Sequence, residues 1–194
     1  MKRISLGVIA ILALFLVVGG CNGYNKMVTQ DQDVKKQWGQ VQTAYQRRAD
    51  LIPNLVNTVK GYANFEKETL TQVIEARAKA TSINVDANNL NPENFQKFQE
   101  AQQGVSSALS RLLVTVEKYP ELKANQNFLE LQAQLEGTEN RISVERNKFN
   151  EVTGTYNTTV KRFPNNLYAG MFGFAEKPYF QAAAGSEKTP TVQF

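Results

Sequence analysis

Histidine is absent from this sequence of 194 residues, and cysteine occurs once, at Cys21. Without histidine the chain has no imidazole general base, no Ser-His or Cys-His nucleophile and no histidine metal ligand. A single cysteine forms no internal disulfide and builds no cysteine-rich zinc site. We therefore expect no metal, no cofactor and no catalysis by the usual groups. With 42% hydrophobic residues, the chain still has enough apolar surface to fold.

The N-terminal segment has the composition of an export signal. Lys2 and Arg3 precede an apolar stretch of about 13 residues, and small residues follow it, an arrangement typical of a signal peptide. Residues 18–21, VGGC, resemble a bacterial lipobox, which predicts a lipoprotein signal over residues 1–20 and lipidation of Cys21. The alternative is an uncleaved transmembrane anchor, because the uncharged run over residues 4–20 is at the short limit for a spanning helix.

Charge gives no indication of a nucleic-acid partner. The formal net charge of +4 falls to +2 when the predicted cleavage removes Lys2 and Arg3. No basic stripe interleaved with stacking aromatic residues follows downstream, so we expect no binding to nucleic acid.

From Tyr24 onward the apolar residues recur at alternating steps of three and four, which is the helical period. They predict four helices, over residues 24–62, 65–80, 95–119 and 128–163. Pro53 lies inside the first, so either one helix bends there or a new helix starts with Asp50 as its cap; the unbroken phase favours one bent helix. Asn64 is the expected N-cap of the second.

Each predicted helix has a single apolar stripe to bury, so the expected fold is all-α, an elongated antiparallel up-and-down four-helix bundle. The bundle domain spans residues 21–180, and the small polar residues 181–194 form a disordered tail. Gly137, inside the fourth helix, costs about 1 kcal/mol relative to alanine, and we expect close approach of a neighbouring helix to explain it.

Several sequence blocks resemble the LemA family of bacterial envelope proteins. They are RRADLIPNLV at 47–56, VKGY at 59–62, EAR at 75–77, YPELKAN at 119–125, LEGTENRI at 135–142, FP at 163–164 and FGF at 172–174. The resemblance implies an all-helical bundle held at the membrane by its N-terminus, with most of the chain outside the cytoplasm. Many members have a transmembrane helix at that end, so a lipobox would be a variation. The resemblance implies no established catalytic activity and no catalytic residue.

Arg48 falls at a position where the helical pattern requires an apolar residue. If the first helix runs antiparallel to the fourth, with the two ends paired, Arg48 faces Glu139 and Gln46 faces Arg141. A buried arginine needs a carboxylate partner, because an unpaired buried charge costs several kcal/mol. We therefore predict a structural polar network of Arg48, Glu139, Arg141 and Asp50. The alternative is a docking site at Arg47, Arg48 and Asp50 for a partner or an anionic ligand.

The segment over residues 167–180 is apolar and aromatic. Four antiparallel helices return the chain to its starting end, beside Cys21, so these side chains either insert at the membrane interface or cap the open end of the core. The candidates for membrane contact are Tyr168, Met171, Phe172, Phe174, Tyr179 and Phe180.

These features favour a non-enzymatic, membrane-anchored bundle of the bacterial envelope that works as a scaffolding or protein-interaction module. Its expected partners are membrane lipid, through acylated Cys21 or an N-terminal transmembrane helix, and an envelope protein. The alternative is a peripheral protein that uses residues 167–180 to contact or remodel lipid. A third interpretation is a hydrolase acting through two converging carboxylates, which the scattered acidic residues do not favour.

Overall fold

The computed structural model describes the backbone of residues 2–62 and 65–181 and the side chains of residues 20–62 and 65–181. This part of the chain contains six α-helices and no strand. The helices are α1 (Lys2–Lys60), α2 (Lys67–Ser82), α3 (Pro92–Val116), α4 (Pro120–Lys123), α5 (Gln126–Lys161) and α6 (Asn165–Phe172). The predicted all-α helical bundle is confirmed.

α1 is one continuous helix that includes Pro53, so no new helix starts at Asp50. Proline removes the N–H that would bond the carbonyl four residues earlier. That carbonyl, of Ala49, instead accepts a hydrogen bond from Arg77 Nε of α2 at 2.7 Å. A neighbouring helix thus replaces the donor that Pro53 lacks.

The helix ends differ from the sequence-based expectation by a few residues. Asn91 caps α3, because its side-chain Oδ1 accepts from the Asn94 N–H at 2.8 Å. Asn125 caps α5 in the same way, accepting from the Phe128 N–H at 3.1 Å. α2 starts at Lys67 without a side-chain cap. The expected cap Asn64 lies outside the described residues. The YPELKAN block forms the short α4, which the helical period did not predict.

The long helices alternate in direction, and α1 packs mainly against α5. Two buried clusters follow one another along α1. The distal core lies between α1, α2, α3 and α5 and contains Leu55, Leu112 and Phe128. The second core, nearer the N-terminus of α1, contains Trp38, Phe95 and Phe149.

Only the distal core has the expected four helices around it. α2 ends at Ser82, and the loop that follows it passes Trp38, whose Nε1 donates to Val85 O at 3.0 Å. Nearer the N-terminus, α1 and α5 are covered by α6 and by residues 174–181, which we call the strap. The strap has no helix or strand, and its Phe180 fills the space beside Trp38 and Phe95.

The predicted disordered tail does not start at Gln181. The Gln181 N–H donates to Gln99 Oε1 at 3.2 Å, and its carbonyl accepts from Arg146 Nη2 at 3.0 Å. The remainder of that predicted tail, residues 182–194, lies outside the described residues. Among the residues whose side chains are described, no helix carries a run long and apolar enough to cross a bilayer.

Candidate functional site

Arg48 is held in the core of the bundle at 2% exposure. Its Nη1 donates to Glu139 Oε2 at 2.7 Å and to Ser106 Oγ at 2.8 Å. Its Nη2 donates to two oxygens of Gln102, the backbone carbonyl at 3.1 Å and the side-chain Oε1 at 2.7 Å. The guanidinium carbon also lies 5.1 Å from the centre of the Tyr45 ring. This arginine therefore ties α1 to α3 and α5, in the register that the antiparallel arrangement predicts.

The other two residues of the predicted network do not join Arg48. Asp50 is exposed and accepts from Gln46 Nε2 at 2.7 Å within α1. Arg141 does not pair with Gln46; its Nε lies 2.8 Å from Glu145 Oε1, in poor geometry for a hydrogen bond. The polar residues therefore form three separate groups, and the single network expected from sequence is wrong in that respect.

Glu145 is a buried charge that the sequence analysis missed. It is 2% exposed, and its Oε2 accepts from Gln37 Nε2 of α1 at 2.6 Å. The signal was present, because Glu145 lies three residues after Ile142 and four before Phe149, on the apolar stripe of α5. A charge at a stripe position predicts a polar tie here just as it does at Arg48.

Two asparagine side chains of α5 hold the strap by its backbone. Asn157 accepts from Lys177 N and donates to Lys177 O, both at 2.9 Å. Asn150 accepts from Phe180 N at 2.8 Å and donates to Phe180 O at 2.9 Å. Since every partner atom is main chain, these contacts position the strap without depending on its side chains.

Tyr156 secures the same segment between the two asparagines. Its hydroxyl donates to Ala175 O at 3.0 Å. Burial, reinforced by the nearby carboxylate of Asp31, raises the pKa of Tyr156 to about 12. Asp31 in turn lies 3.1 Å from Lys177 Nζ, so α1 also contributes a charged contact to the strap.

α6 meets α1 near Cys21, towards the N-terminal end of α1. Cys21 is exposed and lies between Gly20 and Gly23, which both face α6. A Cβ on Gly20 would lie 3.1 Å from the Tyr168 ring, and one on Gly23 would lie within 2.4 Å of Asn165 Oδ1. The absence of side chains at these two positions allows α6 to lie directly on α1.

The six residues predicted for membrane contact divide into three groups by burial. Phe180 is buried among Trp38, Phe95 and Phe149, so membrane contact by Phe180 is wrong and it covers the core instead. Tyr168 and Phe174 are partly buried.

Met171, Phe172 and Tyr179 are exposed. Phe163 and Leu167 are exposed beside them in the chain. Leu167 lies in the predicted segment over residues 167–180 without being an individual candidate, and Phe163 was assigned to the end of the fourth helix. Phe172 and Phe174 contact Tyr24 of α1, with ring centroids 5.0 and 5.7 Å apart.

Comparison with known proteins matches the LemA family over residues 37–194. The chain belongs to the LemA family. It is 26% identical to magnetosome protein MamQ 2 of Paramagnetospirillum magneticum, over 96% of this chain and 73% of the relative. It is 24% identical to protein LemA of Metamycoplasma hominis, over 82% of this chain and 69% of the relative. It is 25% identical to magnetosome protein MamQ of Magnetospirillum gryphiswaldense, over 87% of this chain and 68% of the relative.

The blocks that carry the LemA resemblance meet in space. RRADLIPNLV contacts EAR through the bond from Arg77 to Ala49, and it contacts LEGTENRI through the pair of Arg48 and Glu139. FGF contributes the two aromatic rings against Tyr24. In this LemA-family chain, four of the family-like blocks therefore form contacts between segments that are distant in the sequence.

The expected close approach at Gly137 is absent. A Cβ added there would meet no atom within 4 Å, so a neighbouring helix does not explain this glycine.

The surface of this LemA-family protein offers two open clefts. A cleft of about 290 Å³ between α1, α2 and α3 is lined by uncharged side chains, among them Gln42, Tyr45 and Gln102. A second, of about 400 Å³ between α1 and α5, is lined by Asp33, Lys148 and Glu151 among others. No group of three or more metal-ligating side chains occurs in the described part of the chain. The buried charges Arg48 and Glu145 are bonded within the protein and line neither cleft.

Proposed function

We propose that this LemA-family protein is a non-enzymatic helical bundle, anchored in a bacterial envelope membrane by its N-terminus, which serves as an interaction or scaffolding module. The observation that carries the proposal is the continuity of α1 from Lys2 to Lys60. Both candidate anchors, the apolar segment over residues 4–20 and Cys21, lie on this helix, which is also the main helix of the bundle. An anchor at its N-terminal end therefore holds the whole bundle.

The placement of the buried polar groups supports a holding role. Arg48, Glu145, Asn150 and Asn157 all bond one segment of the protein to another. Catalytic acids and bases are instead found in clefts, where their pKa values are shifted towards the working pH. In this bundle, the polar side chains that are costly to bury connect one segment to another and so make the bundle rigid.

Cys21 is the proposed attachment point for lipid. It is exposed, and the preceding residues resemble a lipobox. Transfer of a diacylglyceryl group to its sulfur followed by cleavage before Cys21 would leave the bundle on acyl chains. The alternative anchor is the uncleaved apolar segment over residues 4–20.

Intact mass measurement of the protein extracted from membranes tests the anchor. Lipidation predicts a chain that starts at Cys21 and carries the mass of the lipid, and Cys21→Ala should retain Met1 and stay unmodified. An unmodified wild-type chain that starts at Met1 would support the transmembrane alternative. Wild-type protein free in the soluble fraction, with no lipid and no membrane association, would contradict anchoring in either form.

Photo-crosslinking in intact cells tests the interaction module. A photoreactive residue at Val114 or Val144, which are exposed apolar positions on α3 and α5, should give a discrete protein adduct. The same residue at buried Val73 is the matched control and should give none. If neither exposed position, nor others sampled along α2, α3 and α5, gives an adduct above this control, the scaffolding role is wrong.

A further inference from the structure

Four large apolar side chains stand exposed within ten residues at the anchor end of the bundle. Phe163 is 75% exposed, Leu167 58%, Met171 79% and Phe172 55%. Single exposed apolar residues are ordinary on protein surfaces, but a group of them marks a contact with a partner or a membrane. The Phe172 ring contacts Tyr24 of α1. We call the other three side chains, of Phe163 just before α6 and of Leu167 and Met171 on it, the α6 face.

The α6 face is turned outward because the opposite side of α6 is fixed to the bundle. Ala169 is buried, Tyr168 lies against Gly20, and Asn165 Nδ2 donates to Thr159 O at 3.2 Å. Gly173 then ends the helix in the left-handed conformation, at φ 76°, and Phe174 N bonds back to Ala169 O at 2.9 Å. The face is therefore part of a rigid element, not of a loose terminus.

The same contacts place the α6 face beside the anchor. α6 packs on Gly20 and Gly23, and Cys21 lies between them. Whether the anchor is an acyl chain or the apolar segment, its exit from the membrane is next to α6. A lipid surface is then present at high effective concentration, whereas any protein partner has to be recruited.

We propose that Phe163, Leu167 and Met171 insert into the lipid interface and form a second membrane contact beside the N-terminal anchor. The inference rests on the proposed anchoring. Apolar faces of interfacial helices bury about 5–10 Å into the boundary of headgroups and acyl chains. Leu167 and Met171, four residues apart, lie on one side of α6 as such insertion requires.

Charge around the face suits an anionic membrane. Arg162 directly precedes Phe163, and Lys26 lies close to Cys21 on α1; both are exposed. Neither side chain forms an ion pair within the described part of the chain. Cations beside an inserted apolar face gain from the negative surface potential of anionic lipids.

Tryptophan quenching in vesicles tests the insertion with the full-length protein. The protein is reconstituted in vesicles of phosphatidylcholine and phosphatidylglycerol, with and without lipid brominated in the upper acyl chain. Trp38 is fully buried, so the wild-type protein provides the unquenched baseline. Met171→Trp reports on the α6 face, and Val114→Trp is the matched control, because Val114 is 70% exposed and lies at the distal end of α3.

We expect brominated lipid to remove most of the emission added by Met171→Trp and none of that added by Val114→Trp. An unquenched Met171→Trp in protein that floats with the vesicles would overturn the inference and leave the anchoring intact. A blue-shifted but unquenched signal would assign the face to a second copy of the chain, which also overturns it. Protein that fails to float with vesicles would overturn the anchoring and the inference together.

Discussion

The Arg77 side chain donates from Nε to the carbonyl oxygen of Ala49 at 2.7 Å, and this bond links α2 to the point where α1 contains Pro53. In an uninterrupted helix the carbonyl of Ala49 would accept from the N–H of residue 53. Proline has no N–H, so the interruption in α1 becomes a docking point for α2.

Replacing Arg77 should therefore destabilise the protein through the Ala49 carbonyl. We expect Arg77→Ala to lower the free energy of unfolding by about 1–2 kcal/mol, the cost of a lost hydrogen bond and an unsatisfied acceptor. The cost should shrink in a Pro53→Ala background, where alanine supplies the missing N–H. Urea denaturation followed by circular dichroism measures both, with exposed Arg111→Ala as the control. An equal cost in the two backgrounds would show that Arg77 acts through some other contact.

Arg48 and Glu139 should contribute unequally, although they form one ion pair. Arg48 is 2% exposed, and its removal leaves a cavity and an unpaired Gln102, so we expect Arg48→Ala to cost about 3 kcal/mol. Glu139 is 54% exposed and Arg48 keeps three other bonds, so Glu139→Gln should cost about 1 kcal/mol or less. The same denaturation experiment separates them. A Glu139→Gln variant as unstable as Arg48→Ala would contradict this ranking.

Phe180 should behave as a core residue, although it lies in the strap. It contacts Phe95 and Phe149 at ring distances of 4.7 and 5.5 Å, so Phe180→Ala should cost about 3–5 kcal/mol. Trp38 is the single tryptophan and stacks on Phe180 at 6.1 Å, so its fluorescence should shift as well. Tyr179→Ala, at the exposed neighbouring position, is the control. Equal small effects at both positions would mean that the strap does not complete the core.

Two glycines of the long helices should respond differently to alanine. Gly137 has no atom within 4 Å of an added Cβ, so Gly137→Ala should stabilise the protein by about 1 kcal/mol through helix propensity alone. Gly23→Ala should give no such gain, because the new methyl group would meet Asn165 and loosen its bond to Thr159. Thermal unfolding of the two variants tests the contrast. A destabilising Gly137→Ala would indicate a contact at this face that the bundle does not provide by itself.

Tyr156 should make stability depend on alkaline pH. Its pKa of about 12 in the folded protein lies above the usual 10, so the folded state keeps a proton that the unfolded state loses. This contribution is complete below pH 10 and is lost as pH rises towards 12. Tyr156→Phe should lose the bond to Ala175 at neutral pH but show a flatter decline between pH 10 and 12.

Denaturation of wild type and Tyr156→Phe across this range measures the difference between them. Tyr24→Phe, which removes an exposed hydroxyl, is the control. Parallel curves for wild type and Tyr156→Phe would contradict the assignment of this pH dependence to Tyr156.

Helical periodicity was sufficient for the features that follow from residue spacing within a helix and from the pairing of the first helix with the last. It predicted the four long helices, the passage of α1 through Pro53 and the contact of Arg48 with Glu139. Each follows from the spacing of apolar residues and from one assumption, that the first and last long helices run antiparallel. The same spacing places Glu145 on the buried stripe of α5, but its burial was not predicted.

The structure of the bundle near the N-terminal end of α1 depends on packing between segments that are distant in the chain. α2 and α3 reach only as far as Trp38, so part of α1 and α5 remained to be covered. The strap has no period of its own, and its place is set by Asn150 and Asn157 bonding to its main chain. Because those bonds are made to main-chain atoms of the strap, no pattern of side chains in residues 174–181 predicts them. Folding of the whole chain therefore selects which apolar residues are buried, as Phe180 is, and which remain on the surface, as Met171 and Phe172 do.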